Sequence, residues 1–168
     1  KAQESVQQAF NIAASKGQQA VECAHLLHGV LSQAENITEW LFGKIGVSSG
    51  SVLRDAGKLI DTYPKVLGAE AYLSSGASEA LRKANDHASR MKDRFVTTEH
   101  ILMGILDTSD KASQMLKDYG INLKELKSAV AELRKGASVE NPTSDDTFNS
   151  LNRYAVNLNE RARTGKLD

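Results

Sequence analysis

One cysteine, two prolines, one tryptophan and no excess of either charge are the scarcities of this 168-residue chain. A lone Cys23 can form no disulfide within the chain, which excludes a disulfide-stapled scaffold and fits a reducing compartment. Lysine and arginine total 21, as do aspartate and glutamate, so no global field draws the chain toward nucleic acid or an anionic membrane surface. No apolar run nears the roughly 18 residues that span a bilayer, and no signal-peptide core is present, so a cytoplasmic protein is expected. Aromatics make up 5% of the residues and hydrophobics 40%, so the interior must be built from aliphatic side chains and alanine. From the start at Lys1, without methionine and inside a helical pattern, a fragment of something longer is expected.

Catalytic signatures are missing too. The phosphate-binding pattern G-x-x-x-x-G-K-[ST] is absent: Gly57-Lys58 is followed by Leu59, and Gly165-Lys166 by Leu167. There is no G-x-S-x-G nucleophile turn. Cys23-Ala-His25-Leu-Leu-His28 offers donors to a metal, but without a fourth ligand it is a poor match to zinc spacings. The basic cluster Arg82, Lys83, Arg90, Lys92, Arg94 is interrupted by Asp86 and Asp93 and carries no aromatic ladder, so it reads as a solvated face and not as a nucleic-acid interface. No enzyme, metal or cofactor is expected for this chain.

What is present is a repeat. At an offset of 75, Glu4 to Leu31 aligns with Glu79 to Leu106 without gaps, and eight of the 28 pairs are identical, among them Ala9/Ala84, Val21/Val96, His25/His100, Leu27/Leu102 and Gly29/Gly104. Unrelated segments of this composition would share roughly two. Beyond this stretch the register slips by one residue, and each copy ends a helix at a glycine, Gly46 and Gly120. Two copies are too few for a solenoid, so they are expected to pack about a pseudo-two-fold axis. The repeat also speaks against the metal, because His28 becomes Met103 and Cys23 becomes Thr98 in the second copy. His25 and His100 read instead as structural histidines at helix N-termini, bonded to backbone.

Each copy reads as four helices, which makes the fold all-α with about eight helices. Val6, Ala9, Phe10 and Ala13 follow the spacing of an apolar helical face that closes near Gly17. Further helices are expected from Ala24 to Ser32, from Asn36 (capping box Asn36-Ile-Thr-Glu39) to Gly46, and from Ser49 to Asp61 before Pro64. The second copy predicts Ser78 to Lys92, Thr98 to Asp107, Ser109 to Tyr119 and Asn122 to Lys135. No run alternates with period two, so no sheet of consequence is expected. Repeat one thus covers about residues 1–63 and repeat two about 75–135. Residues 136–146 are polar, acidic and proline-containing, a flexible linker. Leu151, Tyr154, Ala155 and Leu158 then mark one face of a further helix within 147–168, whose partner domain is not in the chain.

Apolar recognition is the chemistry left. Two copies meeting face to face leave a groove that suits extended or helical peptide segments. Leu81, Met91 and Phe95 are either lining for that groove or core, two readings that sequence does not separate.

The paired long helices, each followed by a short link and a motif of the type Thr98-Glu-His-Ile-Leu102 (Ala24-His-Leu-Leu27 in the first copy), resemble the Clp N-terminal repeat domain. Leu151-Asn-Arg-Tyr-Ala-Val-Asn-Leu-Asn-Glu-Arg-Ala-Arg-Thr-Gly-Lys-Leu-Asp168 resembles the approach to the first AAA+ ATPase domain of the disaggregase branch of the Clp family. That resemblance implies a client-binding module of an ATP- and magnesium-dependent homohexamer working with the DnaK system on unfolded or aggregated proteins, with the ATPase outside this fragment. It implies client handling by Asp93 and Glu99 and a groove contact at Leu81; client segments are expected to dock in the groove between the copies near Leu81, Phe95 and the Glu99 helix, with His100 among the contact residues. Relatives commonly read Pro-Glu-His where this chain has Cys23-Ala24-His25, so the first copy lacks the glutamate with which the protease-unfoldase branch helps bind phosphorylated arginine. An adaptor-binding module of that branch is the alternative implied.

Overall fold

A computed structural model of the chain describes residues 2–33, 37–66, 68 and 70–139. Among them are eight helices: α1 (Ala2–Ser15), α2 (Cys23–Leu31), α3 (Ile37–Ile45), α4 (Ser49–Asp61), α5 (Ser75–Arg90), α6 (Thr98–Leu106), α7 (Lys111–Asp118) and α8 (Leu123–Val139). The all-α, four-plus-four arrangement expected from the repeat is what the structure shows. Helix ends follow local caps. Ser74 Oγ accepts the Ala77 N–H at 3.0 Å and starts α5 ahead of the expected Ser78, with Gly76 inside its first turn. Asp110 Oδ2 accepts the Ala112 N–H at 3.0 Å, which delays α7 to Lys111, and Asn122 Oδ1 accepts the Glu125 N–H at 2.8 Å as expected. The cap expected at Asn36 lies outside the described residues. α8 continues past its expected end at Lys135 to Val139; residues 140–146 of the expected linker and the helix expected within 147–168 lie outside the described residues.

α2 and α6 sit at the centre. Every residue of α6 is buried, and in α2 only His28 escapes burial. Leu26, Leu27, Val30 and Leu31, with Ile101, Leu102, Met103, Ile105 and Leu106, make both helices apolar around most of their circumference, and a helix of that kind is stable only when enclosed. The two pack on each other. Around them α3 packs on α8 and α4 on α7, and α2 meets α5 as α6 meets α1. Exchanging the copies maps this set onto itself, as a pseudo-two-fold axis through the α2–α6 contact requires. Polar contacts fasten the outer pairs: Lys44 to Glu132 at 2.8 Å between α3 and α8, and the Tyr119 hydroxyl donating to the Asp55 carboxylate between α7 and α4.

Two glycines permit the tightest crossings. A Cβ on Gly29 would lie 2.3 Å from the Ser5 carbonyl oxygen of α1, and one on Gly104 would lie 2.0 Å from that of Ala80 in α5. These are matching positions at offset 75, so the sequence identity Gly29/Gly104 reports a backbone-on-backbone contact made twice.

One small addition was not expected. β1 (Ala20–Val21) and β2 (Tyr72–Leu73) form a two-residue parallel ladder that ties the loop between the copies to the first copy. Two residues are too few to produce a visible alternation.

Candidate functional site

α1 and α5 end alike. The Gln18 N–H bonds to the Ala13 carbonyl and the Asp93 N–H to the Ala88 carbonyl, both at 2.9 Å, so each chain reverses through a left-handed residue. In the first copy that residue is Gly17 at φ 68°, and in the second it is Lys92 at φ 59°. The turn aims residue 18 or 93 at the start of the next helix. There the histidine takes the third helical position, where glutamate or glutamine would close a capping box. The backbone N–H of Glu22 donates to His25 Nδ1 at 2.9 Å and that of Thr97 to His100 Nδ1 at 2.8 Å. A backbone N–H can only donate, so both imidazoles carry their proton on Nε2. This is the structural role expected for both histidines.

The copies part company at Nε2. His25 donates to Gln18 Oε1 at 2.7 Å, and Gln18 Nε2 donates to the Ile60 carbonyl at 2.7 Å, a neutral relay. Burial, with His28 and Lys16 adding, holds the His25 pKa down at about 4. Since both ring nitrogens are occupied by protein groups and burial pushes the Cys23 thiol up, this stretch is arranged as core and not as a ligand set.

In the second copy His100 donates to Asp93 Oδ2 at 2.8 Å, and Asp93 accepts both terminal nitrogens of Arg134 from α8, at 2.9 Å and 2.8 Å. Arg134 also reaches Glu99 Oε1 at 3.1 Å. Glu99 is 1% exposed, its Oε2 has no partner, and neither has Arg134 Nε. Burial works against the Arg134 cation, but Asp93 and Glu99 outweigh it and raise its pKa. Burial likewise lowers the His100 pKa, opposed by Glu99 and Asp93. A half-buried carboxylate, a buried carboxylate, a buried neutral imidazole and a guanidinium thus form one network at the N-terminus of α6.

Of the expected site residues, Asp93, Glu99 and His100 are brought together, and Phe95 lies half-buried on the same turn with the Arg94 guanidinium 5.3 Å from its ring centroid. Leu81 corrects the expectation: it is 4% exposed on the inner face of α5 and is core, so it offers no side chain to a groove. Met91 is half-buried and packs against the core. Arg134 was missed, because its partners lie 35 and 41 residues away. Also unforeseen are three exposed large apolar side chains: Trp40 beside Lys44 on α3, and Val66 and Tyr72 in the loop between copies.

The family model described as the Clp repeat (R) N-terminal domain matches residues 1–119. The chaperone protein ClpB of Bacteroides thetaiotaomicron is 48% identical across the whole chain, which spans 20% of that relative's length. Among solved structures, the Hsp104 N-terminal domain of Candida albicans superposes with a TM-score of 0.66 at 21% identity, over 78% of this chain and 87% of that one. The N-terminal domain of the caseinolytic protease-associated chaperone ClpD of Arabidopsis thaliana gives 0.59 at 21% identity, over 80% and 92%.

Proposed function

The chain belongs to the Clp repeat N-terminal domain family, and on that footing we propose that it is the client-binding module of an ATP-driven protein disaggregase, engaging exposed apolar segments of unfolded or aggregated proteins. The observation that carries the reading is the pairing of a fastened interior with apolar side chains left outside. The charged groups of the α6 site are paired with one another through Asp93, Glu99, His100 and Arg134, whereas Trp40, Val66 and Tyr72 are exposed and Phe95 is half-buried. Isolated apolar residues are ordinary on a surface. Large aromatic ones on a chain with 5% aromatics are the available anchors for a client.

In this reading Phe95 makes contact, Asp93, Glu99 and His100 hold the turn that presents it, and Leu81 seats α5 beneath. ATP and magnesium act in the motor of the whole protein, a cytoplasmic homohexamer cooperating with the DnaK system. Affinity of the lone module is expected to be weak, near micromolar or poorer at roughly −8 kcal/mol or less, since a promiscuous contact orders side chains without fitted pockets. The test is titration of a permanently unfolded, labelled protein with wild-type domain and Phe95→Asp, both checked for helical content. Loss of about threefold or more in affinity is expected, and equal affinities would sink the assignment of Phe95. A second reading, an adaptor-binding module of a protease unfoldase, is favoured by the likeness to the ClpD N-terminal domain; tight one-to-one binding of a folded adaptor with no affinity for unfolded chains would select it.

A further inference from the structure

The turn between α5 and α6 carries a charge pattern that the network beneath it does not use. Arg90, Lys92 and Arg94 are all exposed, around the half-buried Met91 and Phe95. Their neighbouring acids are committed elsewhere: Asp93 to His100 and Arg134, Asp86 to Arg82 at 3.7 Å, and Glu79 to Lys83 at 3.1 Å. Among the described residues no carboxylate pairs with any of the three cations. Arg90 has a local justification, because it lies in the last turn of α5, where a cation complements the helix dipole. Lys92 and Arg94 lie beyond the last turn of α5.

Lys92 also stands where a lysine is expensive. Its φ of 59° is the left-handed conformation that the first copy assigns to Gly17, and an L side chain there costs about 1 kcal/mol or more relative to glycine. The first copy shows that the turn works with neutral residues: Ser15, Gly17 and Gln19 occupy the positions of Arg90, Lys92 and Arg94, and its one cation, Lys16, is paired with Asp61 at 2.7 Å. One copy has therefore kept a neutral turn, and the other a strained turn bearing three unneutralised cations beside an aromatic ring.

We propose that the Arg90–Phe95 turn is a cationic rim that selects apolar client segments flanked by aspartate or glutamate. The proposal deepens the client-binding reading and rests on it. Phe95 and Met91 supply apolar surface, and the three cations supply a field that steers acidic flanks to it and repels basic ones. The carboxylates of the occupant replace those that the domain withholds.

Three labelled peptides test this, with one Leu-Phe-Leu centre flanked on both sides by aspartates, serines or lysines. Anisotropy titrations use the wild-type domain and R90S/K92G/R94Q, which installs the first copy's residues and removes the backbone strain. At low ionic strength the aspartate-flanked peptide is expected to bind about tenfold tighter than the serine-flanked one, with lysine flanks weakest. The ranking is expected to narrow as salt shortens the Debye length to a few ångströms, and to vanish in the triple variant. An aspartate-flanked peptide binding no tighter than the serine-flanked one overturns the rim, as does a preference that survives in the triple variant. A single-stranded oligonucleotide bound as tightly as the aspartate-flanked peptide overturns it too, because the turn would then be a general polyanion site. Failure of the serine-flanked peptide to bind counts against apolar recognition, while the order of aspartate and lysine flanks still judges the rim.

Discussion

His25 and His100 receive the same bond and send out different ones. Each accepts a backbone N–H at Nδ1, yet His25 donates into a neutral glutamine relay and His100 into a carboxylate held by Arg134. Both fold neutral, with the pKa of each lowered chiefly by burial. The unfolded chain therefore binds protons that the folded one refuses in the interval below 6.5, and stability present above that pH is lost as pH falls. For His25, which titrates near 4 when folded, the loss at pH 5 is about 2 kcal/mol. Urea midpoints measured from pH 7.5 to 4.5 should decline across that interval, and less steeply in His25→Gln.

Lys92→Gly should stabilise the domain by about 0.5–1 kcal/mol, the relief of left-handed strain less the added freedom of the unfolded chain. Gly17→Lys should destabilise by a similar amount. The check is a shift in denaturation midpoint at unchanged slope.

Gly29→Ala and Gly104→Ala should each be severe. The new methyl would lie 2.3 Å or 2.0 Å from a carbonyl oxygen of the crossing helix, which must withdraw and open the central packing. Losses of about 3 kcal/mol or more are expected, comparable to the worst core substitutions. Gly57→Ala on α4, where a Cβ meets nothing within 4 Å, should stabilise slightly and serves as the control.

Arg134→Met leaves Glu99 buried without its cation and should cost about 3–5 kcal/mol. Adding Glu99→Gln should restore part of the loss. A double-mutant cycle reads the coupling, and a pair that behaves additively would show that the network carries no interaction energy.

The duplication made much of this legible. Its identities at His25/His100 and Gly29/Gly104 mark contacts that the structure makes twice, and the helix order follows from apolar spacing and caps. Leu81 was not legible, because a helical residue facing a groove and one facing the core have the same period; only the packing of α5 on α6 separates them. Arg134 was hidden for another reason. After the one-residue slip it stands where Ile60 stands in the first copy, and there the partner of Gln18 is a backbone carbonyl, so comparing side chains between the copies gives no hint. β1 and β2 are set by the path of the loop between copies and not by side-chain pattern.

The position of Arg134 near the end of α8 has a mechanical consequence. Load applied to the chain from residue 140 onward enters the domain along α8 and meets the Arg134 grip on Asp93 and Glu99 before it reaches Leu126, Ala129 and Val130, which are buried earlier in the same helix. Those ionic contacts are a latch on α8 under tension. Their release would loosen α8 from Asp93 and Glu99 while α2 and α6, held by the two glycine crossings, stay shut.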